Sequence, residues 1–184
     1  MPADAGIPSF PFPTSLTRTV MSDRKLNVLF ICTGNSARSI LAEGMLNQLG
    51  VDRFVSYSAG SQPKGDVHPL ALDTLRHLHF KDTGYRSKSW AEYSADGAPP
   101  MDFVITVCDN AANEVCPVWP GQPITAHWGV VDPAAVDGSD EAKKRAFMDT
   151  AVTLKRRIEF LLSLPLAKLE TLAIQREVRD IGTR

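Results

Sequence analysis

The stretch from Leu26 to Ser39 constrains this chain most. Leu26 to Ile31 is a short apolar run of the kind found in strands buried on both faces of a parallel sheet. The loop Cys32-Thr33-Gly34-Asn35-Ser36-Ala37-Arg38-Ser39 follows directly. Leu41, Met45, Leu46 and Leu49 then recur at helical spacing up to Gly50. A buried strand feeding a polar loop and then a helix is the opening unit of an α/β fold.

The rest of the chain continues the alternation. Phe54 to Ser58 reads as a second strand, Pro69 to Leu78 as a helix, Phe103 to Val107 as a third strand and Ile124 to Trp128 as a weaker fourth. Ser139 is placed to cap a helix that has Asp140 and Glu141 in its first turn. Phe147, Ala151, Leu154, Ile158 and Leu161 form the core stripe of that helix up to Pro165. The expected fold is a single α/β domain with a four-stranded parallel sheet, order 2-1-3-4, and helices on both faces. Its expected bounds are 23–164. Residues 1–22, with Pro2, Pro8, Pro11 and Pro13 among small residues, read as a disordered extension, and Met21 makes a plausible start for the folded part. Residues 165–184 read as an added C-terminal helix, about Leu166 to Val178, packing on the body or on a second subunit.

A length of 184 residues suits one domain with a sizeable core. A net charge of −1 gives nucleic acid or a membrane surface nothing to bind, and no apolar run approaches the ~20 residues of a spanning helix. Three cysteines are an odd count, better suited to a redox or metal role in the cytoplasm than to a secreted disulfide scaffold.

Backbone N–H groups of the 32–39 loop, together with the helix N-terminus, make a nest for a tetrahedral anion, and Arg38 can grip two of its oxygens. The same positive surroundings predict a depressed Cys32 pKa, with Ser39 donating to the thiolate. Asn35 is placed to bond across the loop and hold a partly left-handed backbone, which Gly34 eases. In the expected strand order, strands one and three are neighbours roughly 4.8 Å apart, so Cys32 and Cys108 land at the same sheet edge.

Asn27 to Glu43, containing Cys-Thr-Gly-Asn-Ser and Arg-Ser, closely resembles the start of the low-molecular-weight tyrosine phosphatase superfamily, in particular its arsenate reductase branch. Tyr57-Ser58-Ala59-Gly60 and His127-Trp128-Gly129-Val130-Val131-Asp132-Pro133-Ala134 strengthen that resemblance, which spans about Lys25 to Leu164. It implies that Thr33, Gly34, Asn35, Ser36, Ala37 and Arg38 bind the oxyanion, that Cys32 attacks arsenic, and that Asp132 is the general acid. It further implies that Cys108 attacks the Cys32 sulfur, releasing arsenite, and that Cys116 resolves the disulfide. Arsenate is then the substrate, phosphate and sulfate are competing anions, and no cofactor is bound. Thioredoxin or a glutathione and glutaredoxin system supplies electrons, and the location is cytoplasmic.

If 108–116 were helical, its ends would lie about 12 Å apart, beyond disulfide reach, so the segment must unwind. Its Asp109 to Asn113 stretch is a poor helix former. Some reductases of this branch hold potassium; Asn35, Glu43 and Ser58 match three of its ligands, and Lys88 falls at the fourth. The expectation is that its ammonium replaces the cation.

Each residue also has a plainer reading: Cys32, Cys108 and Cys116 as buried thiols, Asp132 as a turn former, Lys88 as a surface charge. A zinc site from Cys108, Cys116 and His127 lacks any Cys-x₂-Cys pair. His68, His77 and His79 show no partner pattern and read as surface or loop residues. The alternative functions are a low-molecular-weight tyrosine phosphatase and a non-catalytic oxyanion-binding module. Ala134-Ala135 stands where such phosphatases usually carry an aromatic pair, which argues against the first.

Overall fold

A computed structural model describes residues 24–114, 117–168 and 170–184. The expected N-terminal extension, 1–22, and Cys116 lie outside the described residues.

The first strand, β1 (Leu26–Cys32), has Val28, Leu29, Phe30 and Ile31 wholly buried, as a strand covered on both faces requires. The helix α1 (Arg38–Leu49) returns along the sheet to Gly50, and β2 (Phe54–Gly60) pairs parallel with β1. Next come α2 (Pro69–His77), the short α3 (Ala91–Ser94) and β3 (Phe103–Thr106), which pairs with the other edge of β1. The five-residue α4 (Asp109–Asn113) precedes β4 (Ile124–His127), and the sheet order is β2-β1-β3-β4, as expected from the sequence. Pro133–Ala135 forms a 3-10 turn, followed by α5 (Asp140–Ser163) and α6 (Thr171–Ile181).

Two elements depart from the sequence expectation. The Asp109–Asn113 stretch is helical despite its composition, because Cys108 caps it, the Ala111 N–H donating to Cys108 Sγ at 3.4 Å. The short α3 carries no apolar period to announce it and is held by Tyr93 packing on Tyr57.

The long α5 is as its pattern implies: Ser139 accepts from the Ala142 N–H at 3.2 Å, and the stripe from Phe147 to Leu161 is buried. The C-terminal α6 buries Ile174, Val178 and Ile181 against the body. Three polar ties fix it there, one of them Arg179 Nε donating to the Thr125 carbonyl at 3.3 Å. The indole N–H of buried Trp128 donates to the Val178 carbonyl, and Arg157 donates to the carbonyls of Trp128, Gly129 and Gly182. The peptide carbonyls just beyond β4, which lead to Asp132, are thus anchored from behind by α5, and the Trp128 side chain by α6.

Candidate active site

The first βα turn sets the site. β1 ends at Cys32 and α1 begins at Arg38, so residues 33–37 must reverse the chain within five positions. Asn35 makes this possible by adopting φ 42, the left-handed conformation that asparagine tolerates. Its fully buried side chain is satisfied on every side: Nδ2 donates to Ser39 Oγ and to Ser58 Oγ, both at 2.9 Å, and Oδ1 accepts from the Lys88 N–H at 2.8 Å.

Inside the loop, the Asn35 N–H points at Cys32 Sγ from 3.2 Å and the Ser39 hydroxyl lies 3.0 Å from the same sulfur. The loop carbonyls turn outward. Thr33 O accepts from Gln62 N–H, Gly34 O from Lys64 N–H and Ser36 O from His68 N–H. That division leaves the amides for an anion. Ala37 precedes the helix and is buried.

Gly60 matters as much as any loop residue. A Cβ there would stand 2.5 Å from the Thr33 carbonyl oxygen and 3.0 Å from both Cβ and N of Asn35. Gly34 differs: its missing side chain leaves room only for the flexible Lys64 stem, 3.3 Å away.

Arg38 reaches Asp132 in an ion pair, Nη2 to Oδ2 at 3.1 Å, and also donates to the Val130 carbonyl at 3.3 Å. Asp132 itself accepts from the Ala134 N–H and so also forms the turn its sequence suggests. This pairing bears on Cys32. The sequence predicted a depressed Cys32 pKa, but burial pushes the thiol above the ordinary range. The Ser39 hydroxyl and backbone N–H oppose the rise, nearby Cys108 adds to it, and Arg38 opposes it least. The guanidinium is committed to Asp132 and Val130 rather than to the sulfur. Asp132→Asn should therefore lower the Cys32 pKa, read from thiolate absorbance against pH in a Cys108→Ser, Cys116→Ser background without anion. An unchanged or raised midpoint would mean that Arg38 already exerts its full effect.

Cys108, just beyond β3 at the N-cap of α4, is buried, with its sulfur 3.6 Å from Thr33 Oγ1. Both Cys32 and Cys108 carry free thiols. Glu43, Ser58 and Lys88 gather under the loop: Ser58 Oγ donates to Glu43 at 2.5 Å, and Lys88 Nζ lies 3.4 Å from Ser58 Oγ and 3.9 Å from Glu43. Burial pushes the Glu43 carboxyl up and the Lys88 ammonium down, each opposed by the other's charge. Among the described residues, no group of three or more His, Cys, Asp and Glu side chains is arranged to hold a metal.

His68 lies in the loop before α2, as its sequence suggests, but it is half-buried and bonded on both sides. Its Nδ1 accepts from the Leu70 N–H, capping α2, and its ring packs on Phe147 at 4.7 Å. It thereby fastens the outer side of the loop to two helices. Pro69 at the first helical position was the available signal. His77 and His79 are exposed.

The fold and loop together define a class, the α/β enzymes that present a cysteine to tetrahedral oxyanions from the first βα turn. Within it, the chain belongs to the low molecular weight phosphotyrosine protein phosphatase family, whose model matches residues 27–177 and so runs into α6. The arsenate reductase of Halalkalibacterium halodurans is 34% identical, over 72% of this chain and 91% of the relative. That of Bacillus subtilis strain 168 is 32% identical over the same shares. A solved arsenate reductase in the phosphate binding state superposes with a TM-score of 0.59 at 27% identity, covering 75% of this chain and 97% of its own. The low molecular weight protein tyrosine phosphatase of T. tengcongensis shares the fold, with a TM-score of 0.58 at 22% identity. No helix among the described residues is long and apolar enough to cross a membrane.

Proposed function

We propose that this enzyme reduces arsenate to arsenite in the cytoplasm through a cysteine relay. The observation that carries this reading is the second buried thiol: Cys108 faces the Cys32 loop through Thr33, a position an ester hydrolase has no use for.

In the proposed sequence arsenate enters the loop and draws Arg38 from Asp132 onto its oxygens. The Cys32 thiolate attacks arsenic, and Asp132, released from the ion pair, protonates the departing oxygen so that water leaves. Cys108 as thiolate then attacks Cys32 Sγ. The S–As bond breaks with its electron pair going to arsenic, which leaves as arsenite, reduced by two electrons. The two sulfurs are oxidised to a disulfide. Cys116 displaces Cys32 from Cys108 by thiol–disulfide exchange, and an external dithiol, thioredoxin or a glutathione and glutaredoxin system, reduces the Cys108–Cys116 bond.

The test is NADPH consumption in the presence of arsenate with either reductant system. Arsenate-dependent oxidation that vanishes in Cys32→Ser supports the relay. Aryl phosphate hydrolysis without any NADPH consumption would make the chain a phosphatase instead, and anion binding without either turnover would make it a binding module.

The Lys88 ammonium, seated against Ser58 and Glu43, supports its reading as a built-in substitute for potassium. Turnover is expected to be the same in sodium and potassium salts. Lys88→Ala should be about ten-fold slower in sodium, because the loop loses the charge beneath it, and should recover in potassium. A several-fold potassium activation of the unaltered protein would overturn the substitution.

A further inference from the structure

The His127-Trp128-Gly129 stretch is only partly explained by the core, which absorbs Trp128. His127, the last residue of β4, is exposed, yet its ring bridges two elements. Nδ1 lies 2.8 Å from Thr106 Oγ1 on β3, and Nε2 lies 2.9 Å from Asp109 Oδ1 in the first turn of α4. Gly129 makes room for this bridge. A Cβ there would stand 2.5 Å from Asp109 Oδ1 and 2.6 Å from His127 Nε2.

The proton inventory fits a persistent contact. With a neutral ring, the Thr106 hydroxyl donates to Nδ1 and Nε2–H donates to the carboxylate. With a protonated ring both nitrogens donate, and the Thr106 hydroxyl turns to the Ala126 carbonyl, 3.4 Å away. Nε2 donates to Asp109 in either state.

α4 has five residues, too few to stay wound unaided, and Ala111 is its buried residue. Among the described residues its other side-chain ties are local, Asn113 Nδ2 donating to the Asp109 carbonyl and Cys108 Sγ accepting from the Ala111 N–H. Beside it lies an open cleft of about 620 Å³, lined by Ala112, His127, Trp119 and Val104 among others. Unwinding the first turn withdraws the Ala111 N–H from Cys108 Sγ.

We infer that His127 is a positioning residue for Cys108: it clamps Asp109, keeps α4 wound, and so sets how often the Cys108 sulfur is exposed. The purpose of the clamp rests on the relay proposed above; the clamp itself belongs to the reduced fold and is testable without arsenate.

In a Cys32→Ser, Cys116→Ser background, Cys108 is the sole thiol, and its alkylation by iodoacetamide reads the opening of α4. His127→Ala should raise the alkylation rate about five-fold, the factor expected from losing one partly exposed hydrogen bond. Gly129→Ala should do the same by separating the pair, and the double variant should add nothing further. Asp109→Asn keeps an oxygen acceptor and should stay within about two-fold. Hydrogen exchange should quicken over residues 109–113 alone, and His127→Ala in the otherwise native chain should hydrolyse p-nitrophenyl phosphate at the native rate. Unchanged alkylation, additive effects, or exchange quickened across the whole sheet would each overturn the clamp. Faster alkylation in a protein that never reduces arsenate would leave the clamp standing and remove the relay.

Discussion

Cys108→Ser is expected to lower arsenate turnover by at least about a thousand-fold while leaving aryl phosphate hydrolysis within about three-fold of the native rate. The asymmetry follows from electron bookkeeping. Ester hydrolysis needs the Cys32 nucleophile, the oxyanion loop and a proton donor, and all of these lie outside β3. Reduction by the proposed relay needs a second sulfur to accept the bond from Cys32 as arsenic takes its electron pair, and a hydroxyl cannot form that bond. Cys108 also pushes the Cys32 pKa up, so its removal should not weaken the nucleophile. The two rates, measured on one preparation with NADPH consumption and p-nitrophenol release, decide the matter. If both fall together, Cys108 is a structural thiol. If neither falls, electrons reach arsenic by a route that bypasses it.

The second large effect is expected at Gly60, which takes no part in the chemistry. Gly60→Ala should reduce both activities about a hundred-fold, the usual consequence of moving reacting groups by an ångström, and should cost about 1–3 kcal/mol of stability. The added methyl meets the Thr33 carbonyl oxygen and the Asn35 backbone and Cβ, none of which can swing aside as a long side chain does. Gly60 is itself pinned by hydrogen bonds, donating to the Lys88 carbonyl and accepting from the Trp90 N–H, so the strain passes into the loop. Gly34→Ala is the control. Its methyl meets only the Lys64 stem, which can move, and both activities should stay within about five-fold of native. Equal losses in the two variants would show that the loop tolerates no added bulk anywhere. A harmless Gly60→Ala would show that the loop is free to shift.

Much of this protein is legible in its sequence, for reasons rooted in short-range physics. The apolar run before Cys32, the helical spacing from Leu41 to Leu49 and the Ser139 cap each report a local preference that packing did not reverse. Parallel strands joined by helices leave few orders open, and so β3 beside β1 could be expected before any coordinates. The octapeptide from Cys32 to Ser39 carries part of its own geometry, since the Asn35 backbone and its bond to Ser39 shape the turn from within.

What the sequence could not supply depends on partners brought from afar. Charged residues near Cys32 predict a lowered pKa only if their charge reaches the sulfur. The fold buries that sulfur and turns Arg38 toward Asp132, 94 positions along the chain, and so the direction reverses. The helicity of Asp109 to Asn113 is in part a tertiary outcome, because the adjacent Cys108 supplies the cap but the His127 ring comes from β4. Gly60 and Gly129 give no local signal of their importance, and Pro69 marks His68 only as a helix start. The first two act through atoms they lack, and His68 through a backbone N–H and a ring whose partners lie on other elements. Local composition determined most of the elements and where Cys32 sits. The packing of those elements decided which charges, carbonyls and thiols it meets, because burial and proximity are properties of the assembled chain.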